Sequence, residues 1–350
     1  VIVVEHDLEV IERADHIIDM GPGPGAMGGE IVAEGTPDEI MKTGSITGLW
    51  LREQAKKVVQ RNRKPRKWMT IQGARENNLK GETVKIPLGV LVGVCGVSGS
   101  GKSTLIIDTL GRVLDPVKHT TSVAKEPLDP GEHDTITDKP KKTQIIDQTR
   151  KGIRSPAKFL RVDAKLVRLF AESPDAHSLG LDKKKLGARC SVCRGSGTTR
   201  TDMGFLPDIY TQCETCHGTG YSPEAWDVRL QGYSLPELNQ STIQEVYELF
   251  REEPSVAEPL KAAIDVGLGY LVLHQPGYSL SGGEAQRLRI AAELSKKSSK
   301  DTLYILDEPT LGQHMDDVNR LSEVLQRLVD EGNSVLVVEH HPSLLAQCDW

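Results

Sequence analysis

The chain has 350 residues, of which 38% are hydrophobic and 26% charged, and its formal net charge is −6. A chain of this length and composition forms either two globular domains or one large domain that carries an insertion. The net negative charge gives no sign of nucleic-acid binding, although a local basic surface would still provide it. The longest apolar stretch, near residues 88–97, is too short and too interrupted by glycine to span a bilayer, so we expect no membrane association.

The two ends of the chain resemble each other. Residues 1–15 have the sequence VIVVEHDLEVIERAD, and residues 335–349 have the sequence VLVVEHHPSLLAQCD. In each copy an apolar, β-branched run ends in Glu-His and precedes a helix-like segment, which predicts a buried strand, a loop and a helix. Such a repeat at a long fixed offset indicates two related modules in tandem.

Between these ends the predicted elements are typical of α/β proteins. Residues 1–51 are predicted to contain a strand, a helix, a turn and a second short strand. A strongly basic stretch without an apolar face follows at residues 52–67; it is predicted to be a solvated linker, and a strip that contacts phosphates is the alternative. Residues 112–146 are polar and proline-rich and are predicted to be loop, whereas the C-terminal part alternates helix and strand.

A glycine-rich segment, GVSGSGKS at residues 96–103, has the spacing of a phosphate-binding loop. The apolar run LGVLVGVC precedes it as a predicted strand, and STLIIDTL follows as a predicted helix. Glycines let the backbone wrap a phosphate, Lys102 would reach the β- and γ-phosphates of ATP, and Ser103 would hold Mg²⁺. The predicted nucleotide-binding residues of this segment are Gly96, Gly99, Gly101, Lys102, Ser103 and Thr104.

A second chemical motif is LYILDEP at residues 303–309. Its apolar residues predict a strand whose end presents Asp307 to the magnesium shell. Glu308 beside it would polarise the attacking water. An apolar run followed by Asp-Glu is common in proteins, and it becomes informative here because the chain also contains the phosphate-loop sequence.

A third motif is LSGGEAQR at residues 280–287. Ser281, Gly282 and Gly283 precede a helix predicted to begin near Glu284, and a helix N-terminus is a second anion-binding element. This segment resembles the signature motif of ABC-type ATPases. The resemblance implies that it contacts the γ-phosphate of a nucleotide held by a different ATPase module.

The ABC-type resemblance also implies roles for three other residues. His340, at the end of VLVVEH, corresponds to the switch histidine that senses the γ-phosphate, and His6 is its counterpart from a preceding module. Gln148 resembles the glutamine of the Q-loop, near Mg²⁺ and the attacking water. These assignments explain why the chain carries the same strand sequence at both ends.

Two Cys-x-x-Cys pairs, CSVC and CETC, are separated by nineteen residues. This spacing is typical of a structural Zn²⁺ site closed by four thiolates, and paired cysteines of this kind indicate a reducing, cytoplasmic compartment rather than a disulfide scaffold. Cys95 and Cys348 are predicted to lie in the apolar core instead. The predicted zinc ligands are Cys190, Cys193, Cys213 and Cys216.

The motifs together resemble the UvrA family along the whole chain, in the stretches WMTIQGARENNLKGETVKIPLG, MGFLPDIY, DVGLGYL, QPGYSLSGGEAQR and LYILDEPTLGQHMDD. The resemblance implies an α/β ABC-type ATPase core with a parallel sheet, a helical signature region and an inserted zinc module. It also implies ATP hydrolysis coupled to recognition of damaged double-stranded DNA in nucleotide excision repair, a homodimer, and a UvrB-type partner bound through a region outside this chain.

The resemblance also implies a division of the chain. Residues 1–51 would be the tail of a first ATPase module, residues 52–67 the linker, and residues 68–350 most of a second module. The second module would carry an insertion over about residues 150–275, with the zinc module at about 187–222. On this division we expect the isolated chain to bind nucleotide but to hydrolyse it poorly.

Some features depart from the family pattern. Leu311 and Gln313 stand where the family usually has Thr and Leu, and TRKGIRSPAKFLRV after Gln148 keeps only part of the expected basic stretch. These departures leave open a UvrA-like paralogue associated with resistance to DNA-binding drugs. A transporter ATPase shares the nucleotide motifs, but it has no use for a four-cysteine insertion.

Basic residues cluster before and within the zinc module. Such clusters are usually solvated surface, and contact with DNA phosphates is the alternative that the family resemblance favours. Contacts to the backbone suit a sensor of many lesions, because such a sensor depends on DNA deformability rather than base edges. The candidate DNA-contacting residues are Lys183, Lys184, Lys185, Arg189, Arg194 and Arg200, with Arg150, Lys151 and Arg154 as a second group.

Overall fold

The computed structural model describes residues 1–5, 8–25, 28–53, 63–116, 127–204, 208–296, 300–311 and 313–350. His6 and residues 54–62 of the predicted linker lie outside the described residues. The chain divides into two compact units, one formed by residues 1–148 together with 297–350 and the other by residues 149–296. The predicted division into two ATPase modules and a linker stays a prediction.

The strands are short, as is usual for α/β proteins. In chain order they are β1 (Ile17–Gly21), β2 (Glu30–Gly35), β3 (Lys67–Gln72), β4 (Val84–Leu88), β5 (Leu91–Val94), β6 (Thr135–Thr137), β7 (Lys142–Ile146), β8 (Thr198–Thr201), β9 (Ile209–Gln212), β10 (Thr302–Asp307) and β11 (Ser334–Val338).

The helices range from single turns to four turns. In chain order they are α1 (Leu8–Glu12), α2 (Pro37–Ile40), α3 (Ile46–Glu53), α4 (Arg112–Leu114), α5 (Pro156–Phe159), α6 (Asp163–Ala171), α7 (Pro174–Ser178), α8 (Lys183–Leu186), α9 (Leu235–Gln240), α10 (Ile243–Leu249), α11 (Pro254–Asp265), α12 (Gly282–Leu294), α13 (Met315–Asp330) and α14 (Pro342–Leu345). A π-helical segment, Thr104–Gly111, leads directly into α4. Among the described residues there is no helix with the length and apolar character that crossing a bilayer requires.

The first unit is built on a four-stranded parallel sheet with the order β5-β11-β10-β7. Every residue of β11 is buried, and β10 is buried up to its last residue, because strands of a parallel sheet are covered on both faces. The carboxyl ends of parallel strands meet at one edge, where ligands of such sheets bind. This edge therefore gathers the segments that follow β5, β7, β10 and β11.

A second, antiparallel sheet with the order β4-β3-β6 shares its core with the parallel sheet. Met69 and Ile71 of β3 belong to the same buried cluster as Leu110 of the π-helical segment and Leu336 of β11. This common core holds the segment after β5 on the sheet that carries β10 and β11.

Two expectations about secondary structure are wrong in this unit. The stretch 112–146 is not all loop, because it contains β6 and β7, and Ile145 and Ile146 of β7 are buried beside β10. Pairing with a distant strand makes this polar segment a strand, and no local pattern predicts such pairing. The apolar residues 1–4 are exposed and form no strand, because none of the described strands pairs with them.

The described residues of the second unit are largely helical and include the antiparallel hairpin β8–β9. Helices α10 and α11 follow each other closely in the chain, and Pro254 begins the second of them. Proline is favoured in the first turn of a helix, where its missing N–H costs no hydrogen bond. Helix α11 packs on α12, the helix that follows the signature-like motif.

Candidate functional site

The loop after β5 has the backbone of a phosphate-binding loop. Gly96, Gly99 and Gly101 have φ values of 146°, 77° and 96°, a region that residues with a Cβ rarely adopt. The Lys102 side chain is folded into this loop, where its Nζ donates to the carbonyl oxygens of Gly96 at 2.8 Å and Val97 at 3.0 Å. The ammonium group therefore lies inside the loop, where it would meet an incoming phosphate.

Two asparagines that sequence reasoning assigned no role support this loop. Asn78 Nδ2 donates to Gly99 O at 2.7 Å, and Asn77 Nδ2 donates to Thr104 Oγ1 at 3.4 Å. Asn77 has a φ of 54°, a conformation that asparagine tolerates better than most residues. The Asn-Asn pair is visible in the sequence, but its contacts join residues far apart in the chain and appear only after folding.

Asp307 ends β10 at the same edge of the parallel sheet. Burial raises the pKa of its carboxyl group above the ordinary value, and the negative charges of Glu308, Asp147, Asp108 and Glu339 raise it further. A divalent cation would offset this repulsion, and carboxylate oxygens are the ligands that Mg²⁺ prefers. The carboxylate oxygens of Asp307 thus fit a magnesium ion.

The three predicted catalytic residues lie together at this edge. The His340 Nε2 atom is 3.4 Å from Glu308 Oε1, and Gln148 Nε2 donates to Glu308 O at 3.2 Å. Glu308 has a φ of 45°, and its N–H donates to Val338 O at 2.9 Å. The side chains of His340 and Glu308 are 45% and 38% exposed, so both can reach a ligand from solvent.

The predicted signature residues lie in the second unit, at the N-terminus of α12. Ser281 is the N-cap residue, and its hydroxyl accepts the Glu284 N–H at 3.1 Å while Glu284 Oε2 accepts the Ser281 N–H at 2.6 Å. Glu284 also accepts a hydrogen bond from Tyr270 Oη at 2.6 Å. Gly282 and Gly283 form the first turn, where backbone N–H groups have no partner within the helix.

The four predicted metal ligands form a single buried cluster. Their Sγ atoms all lie within 4.8 Å of one another. The Cys190–Cys213 and Cys193–Cys216 sulfur pairs are 3.9 and 3.6 Å apart. Thiolates around a tetrahedral zinc ion, with Zn–S bonds of about 2.3 Å, are about 3.8 Å from one another. The cluster therefore has the donor set and the dimensions of a structural zinc site.

Backbone N–H groups support this sulfur cluster from two glycine-rich turns, RGSG after Cys193 and HGTG after Cys216. Gly197 N–H donates to Cys193 Sγ at 3.3 Å, and Gly220 N–H donates to Cys216 Sγ at 3.2 Å. Backbone N–H groups of Cys216 and Thr215 lower the pKa of Cys213 to about 7. Burial instead raises the pKa of Cys216 to about 12, so the N–H donors favour thiolate, the form that binds a metal, most clearly at Cys213.

The expectation that Cys95 and Cys348 both lie in the core is half right. Cys348 is buried, and burial raises the pKa of its thiol to about 12. Cys95 is exposed, because it follows the last residue of β5 and begins the phosphate-binding loop at the edge of the sheet. The apolar sequence before Cys95 wrongly predicted a buried cysteine, because β5 ends at Val94, one residue before it.

A basic cavity of about 630 Å³ lies within the second unit. The cavity is lined by three candidate DNA-contacting residues of the zinc module and by all three that follow Gln148. Lys183, Lys184 and Lys185 of α8 do not line it. The basic side chains that line it are Arg150, Lys151, Arg154, Lys158, Arg189, Arg194 and Arg200.

Two groups at the cavity have lowered pKa values. Burial lowers the pKa of Lys158, and the charge of Arg189 lowers it further. Burial also lowers the pKa of His274 to about 4, and the charge of Lys158 adds to this effect. Lys158 Nζ donates to Gly195 O at 3.1 Å, which joins the cavity wall to a glycine-rich turn of the cysteine cluster. An anion would be favoured in such an environment.

The cavity wall also joins the hairpin to the segment before α12. The rings of Tyr210 in β9 and Tyr278 are stacked, with centroids 4.5 Å apart. Arg150 Nη1 donates to Tyr278 O at 3.1 Å. Arg200 is paired with Asp208 at 2.7 Å, which reduces the positive charge it offers to a ligand. The hairpin and the residues just before Ser281 are thus in direct contact.

These features define a class of protein. A glycine-rich loop after β5, a strand that ends in Asp-Glu, a histidine that follows the neighbouring strand and a capped helix after Ser281 are the features expected of an ABC-type ATPase, here together with a four-cysteine cluster in the second unit. The chain belongs to the UvrA family. It is 42% identical to UvrABC system protein A of Thermus thermophilus over 362 residues, and 41% identical to that of Bacillus subtilis over 364 residues, in each case along 100% of this chain.

One solved structure agrees with the sequence comparison. The crystal structure of UvrA2 from Deinococcus radiodurans matches 99% of this chain with a TM-score of 0.88 and 36% identity. No family model matches the chain. The chain spans 38% of the Thermus protein, 37% of the Bacillus protein and 43% of the Deinococcus chain.

Proposed function

We propose that the chain is the part of a UvrA protein that binds and hydrolyses ATP and couples hydrolysis to recognition of damaged DNA in nucleotide excision repair. The observation that carries this proposal is the meeting of Gln148, Glu308 and His340 at the strand edge that also bears the phosphate-binding loop. The names of the relatives support the repair role, since they are components of the UvrABC system.

For ATP hydrolysis, each residue has a separate task. Lys102 holds the β- and γ-phosphates, and Ser103 and Asp307 hold Mg²⁺, which neutralises phosphate charge when it is bound. Glu308 accepts a proton from the attacking water. His340 contacts the γ-phosphate, and Gln148 orients the water beside Glu308. The 3.4 Å separation of the His340 and Glu308 side chains supports this joint action.

The signature residues act on a different nucleotide. Ser281, Gly282 and Gly283 would contact the γ-phosphate held by another ATPase module, through the N-terminus of α12. This assignment rests on the capped helix start and on the family. A homodimer and a UvrB-type partner are part of the same proposal.

For DNA binding, the basic cavity supports contact with the phosphate backbone. Its arginines and lysines come from three separated parts of the second unit, and they surround one concave space. Phosphate contacts provide affinity without base selectivity. The zinc ion has a structural task, in that it would hold the hairpin that carries Arg200 and Tyr210. The four thiols also suit the reducing environment of the cytoplasm.

The proposal is tested by measuring how the natural protein binds matched intact and lesion-bearing duplexes. The measurements are made with and without ATP and at several salt concentrations. We expect a preference for the lesion that depends on nucleotide. The variant Lys151→Ala/Arg154→Ala should reduce the slope of log affinity against log salt by about one for each phosphate that the variant no longer neutralises. The matched variant Lys139→Ala/Lys141→Ala should retain the slope, because these exposed lysines belong to neither candidate DNA-contacting group. Equal binding to both duplexes at every nucleotide state would refute damage recognition.

A UvrA-like paralogue that removes drugs or proteins from DNA is the second candidate. It is favoured by Leu311 and Gln313, which depart from the family pattern, and by the similarity to a UvrA2 structure. The two candidates differ in their partner. A repair subunit should load a UvrB-type protein onto lesion-bearing DNA, and the paralogue should not.

A further inference from the structure

Glu339 is a buried carboxylate that the ATPase proposal leaves without a task. It lies between β11 and His340, and it is only 2% exposed. Its N–H donates to Val94 O at 3.0 Å, which continues the pairing of β11 with β5 by one residue. A buried carboxylate is costly unless hydrogen bonds replace its water, so its partners indicate why it is there.

The Glu339 carboxylate accepts four hydrogen bonds from two loops. Oε1 accepts the N–H of Thr310 at 2.9 Å and also the Thr310 hydroxyl. Oε2 accepts the N–H of His340 at 2.6 Å and that of His341 at 2.8 Å. Hydrogen bonds to an ionised acceptor are shorter and stronger than neutral ones. Both carboxylate oxygens are therefore used to hold backbone.

The two loops joined in this way carry the reacting groups. Thr310 follows Glu308 by two residues, and Glu339 directly precedes His340. The backbones of the two loops meet a second time, because the Glu308 N–H donates to Val338 O at 2.9 Å. The distance of 3.4 Å between Glu308 Oε1 and His340 Nε2 thus depends on a fixed relation between these loops.

We propose that Glu339 is a positioning residue of the ATPase centre, which holds the His340 backbone to the loop after Glu308. The inference rests on the proposed ATP hydrolysis. The Glu339 side chain is buried, and both of its oxygens are bonded to protein groups. It acts through His340 and Glu308, since small misplacements of catalytic groups cost large factors in rate. Two carboxylate oxygens are needed because a glutamine amide would turn its NH₂ group toward N–H donors on one side.

The test uses Glu339→Gln in the natural protein, with His340→Ala as the reference variant. We expect hydrogen exchange at the amides of His340 and His341 to rise at least about tenfold, because local opening governs their protection. Single-turnover ATP hydrolysis should fall at least about tenfold while the Kd for ATP changes less than about twofold. In the His340→Ala background, Glu339→Gln should lower the hydrolysis rate by less than about twofold, because the effects of residues that act as a unit are not additive.

Several results would overturn the inference. Unchanged amide exchange at His340 would show that the carboxylate does not hold the loop. A full additional loss of rate in the His340→Ala background would show a general structural effect. If Glu339→Gln does not fold, Thr310→Val is the second variant, because it removes one donor and leaves the buried charge bonded to His340 and His341. The inference would also be wrong if Thr310→Val had the same amide exchange at residue 310 and the same hydrolysis rate as the wild type.

Different results would show that the proposed function itself is wrong. Absence of ATP hydrolysis in the wild-type protein, or undiminished hydrolysis in Glu308→Gln, would refute the ATPase proposal. The exchange measurement at His340 and His341 needs no turnover, and it decides the positioning role of Glu339 in either case.

Discussion

The Glu308 carboxylate and the His340 imidazole face each other, with Oε1 and Nε2 3.4 Å apart. A carboxylate in this place can take a proton from water, whereas an amide cannot. We therefore expect Glu308→Gln to bind ATP normally and to hydrolyse it at least about 100-fold more slowly. Phosphate release and nucleotide affinity, measured on the same preparation, check this. The matched variant Glu331→Gln, at an exposed position after α13, should behave as wild type.

Lys102 is the cation inside the phosphate-binding loop. Replacement by Ala removes a charged hydrogen bond to phosphate, of about 1.5–3 kcal/mol, so ATP should bind roughly ten- to 100-fold more weakly. Lys80→Ala removes an exposed lysine and is the control. Equilibrium binding of a fluorescent ATP analogue measures both, and equal affinities would exclude Lys102 from the site.

The isolated chain should bind ATP but turn it over slowly, because its signature helix is proposed to act on a nucleotide of another module. Turnover should increase when the chain is part of the natural protein. A calorimetric binding measurement and a phosphate-release assay on the isolated chain check both parts. Rapid, DNA-stimulated hydrolysis by the isolated chain would contradict the proposed role of Ser281, Gly282 and Gly283.

The sulfur cluster should hold one zinc ion for each chain. Cys213→Ser should abolish zinc in the purified protein and expose the β8–β9 hairpin to protease, because a structural zinc ion contributes folding energy directly. Cys95→Ser is the matched control, since Cys95 is exposed and remote in sequence from the cluster. Elemental analysis after gel filtration distinguishes the variants. Equal zinc contents in Cys213→Ser and wild type would exclude this cluster as the site.

His274 should make stability depend on pH. Because burial lowers its pKa to about 4 in the folded state, the folded protein favours the neutral ring. The stabilisation is complete above an unfolded pKa of about 6.5 and is lost as the pH falls toward the folded value. The melting temperature of wild type should therefore fall more steeply than that of His274→Gln between these pH values. Both proteins keep the four cysteines, so loss of zinc contributes equally, and parallel curves would show that His274 is not responsible.

Local sequence was sufficient for the parts whose chemistry depends on spacing. The loop that holds Lys102, the strand that ends at Asp307, the capped helix after Ser281 and the two cysteine pairs each lie within a short segment. Their geometry follows from glycine conformation, helix capping and the reach of a Cys-x-x-Cys turn, all of which are local. The α/β class followed from the same patterns.

Only the tertiary structure decided which distant residues meet. Asn78 reaches Gly99, Thr310 reaches Glu339, and the polar stretch 112–146 contributes β7 to the parallel sheet. The basic side chains also converge on one cavity from parts of the chain that no spacing rule connects. The physical reason is that the whole core sets burial and strand pairing. A residue therefore meets its distant partner, and the Glu339 carboxylate becomes buried, only when the sheet has assembled.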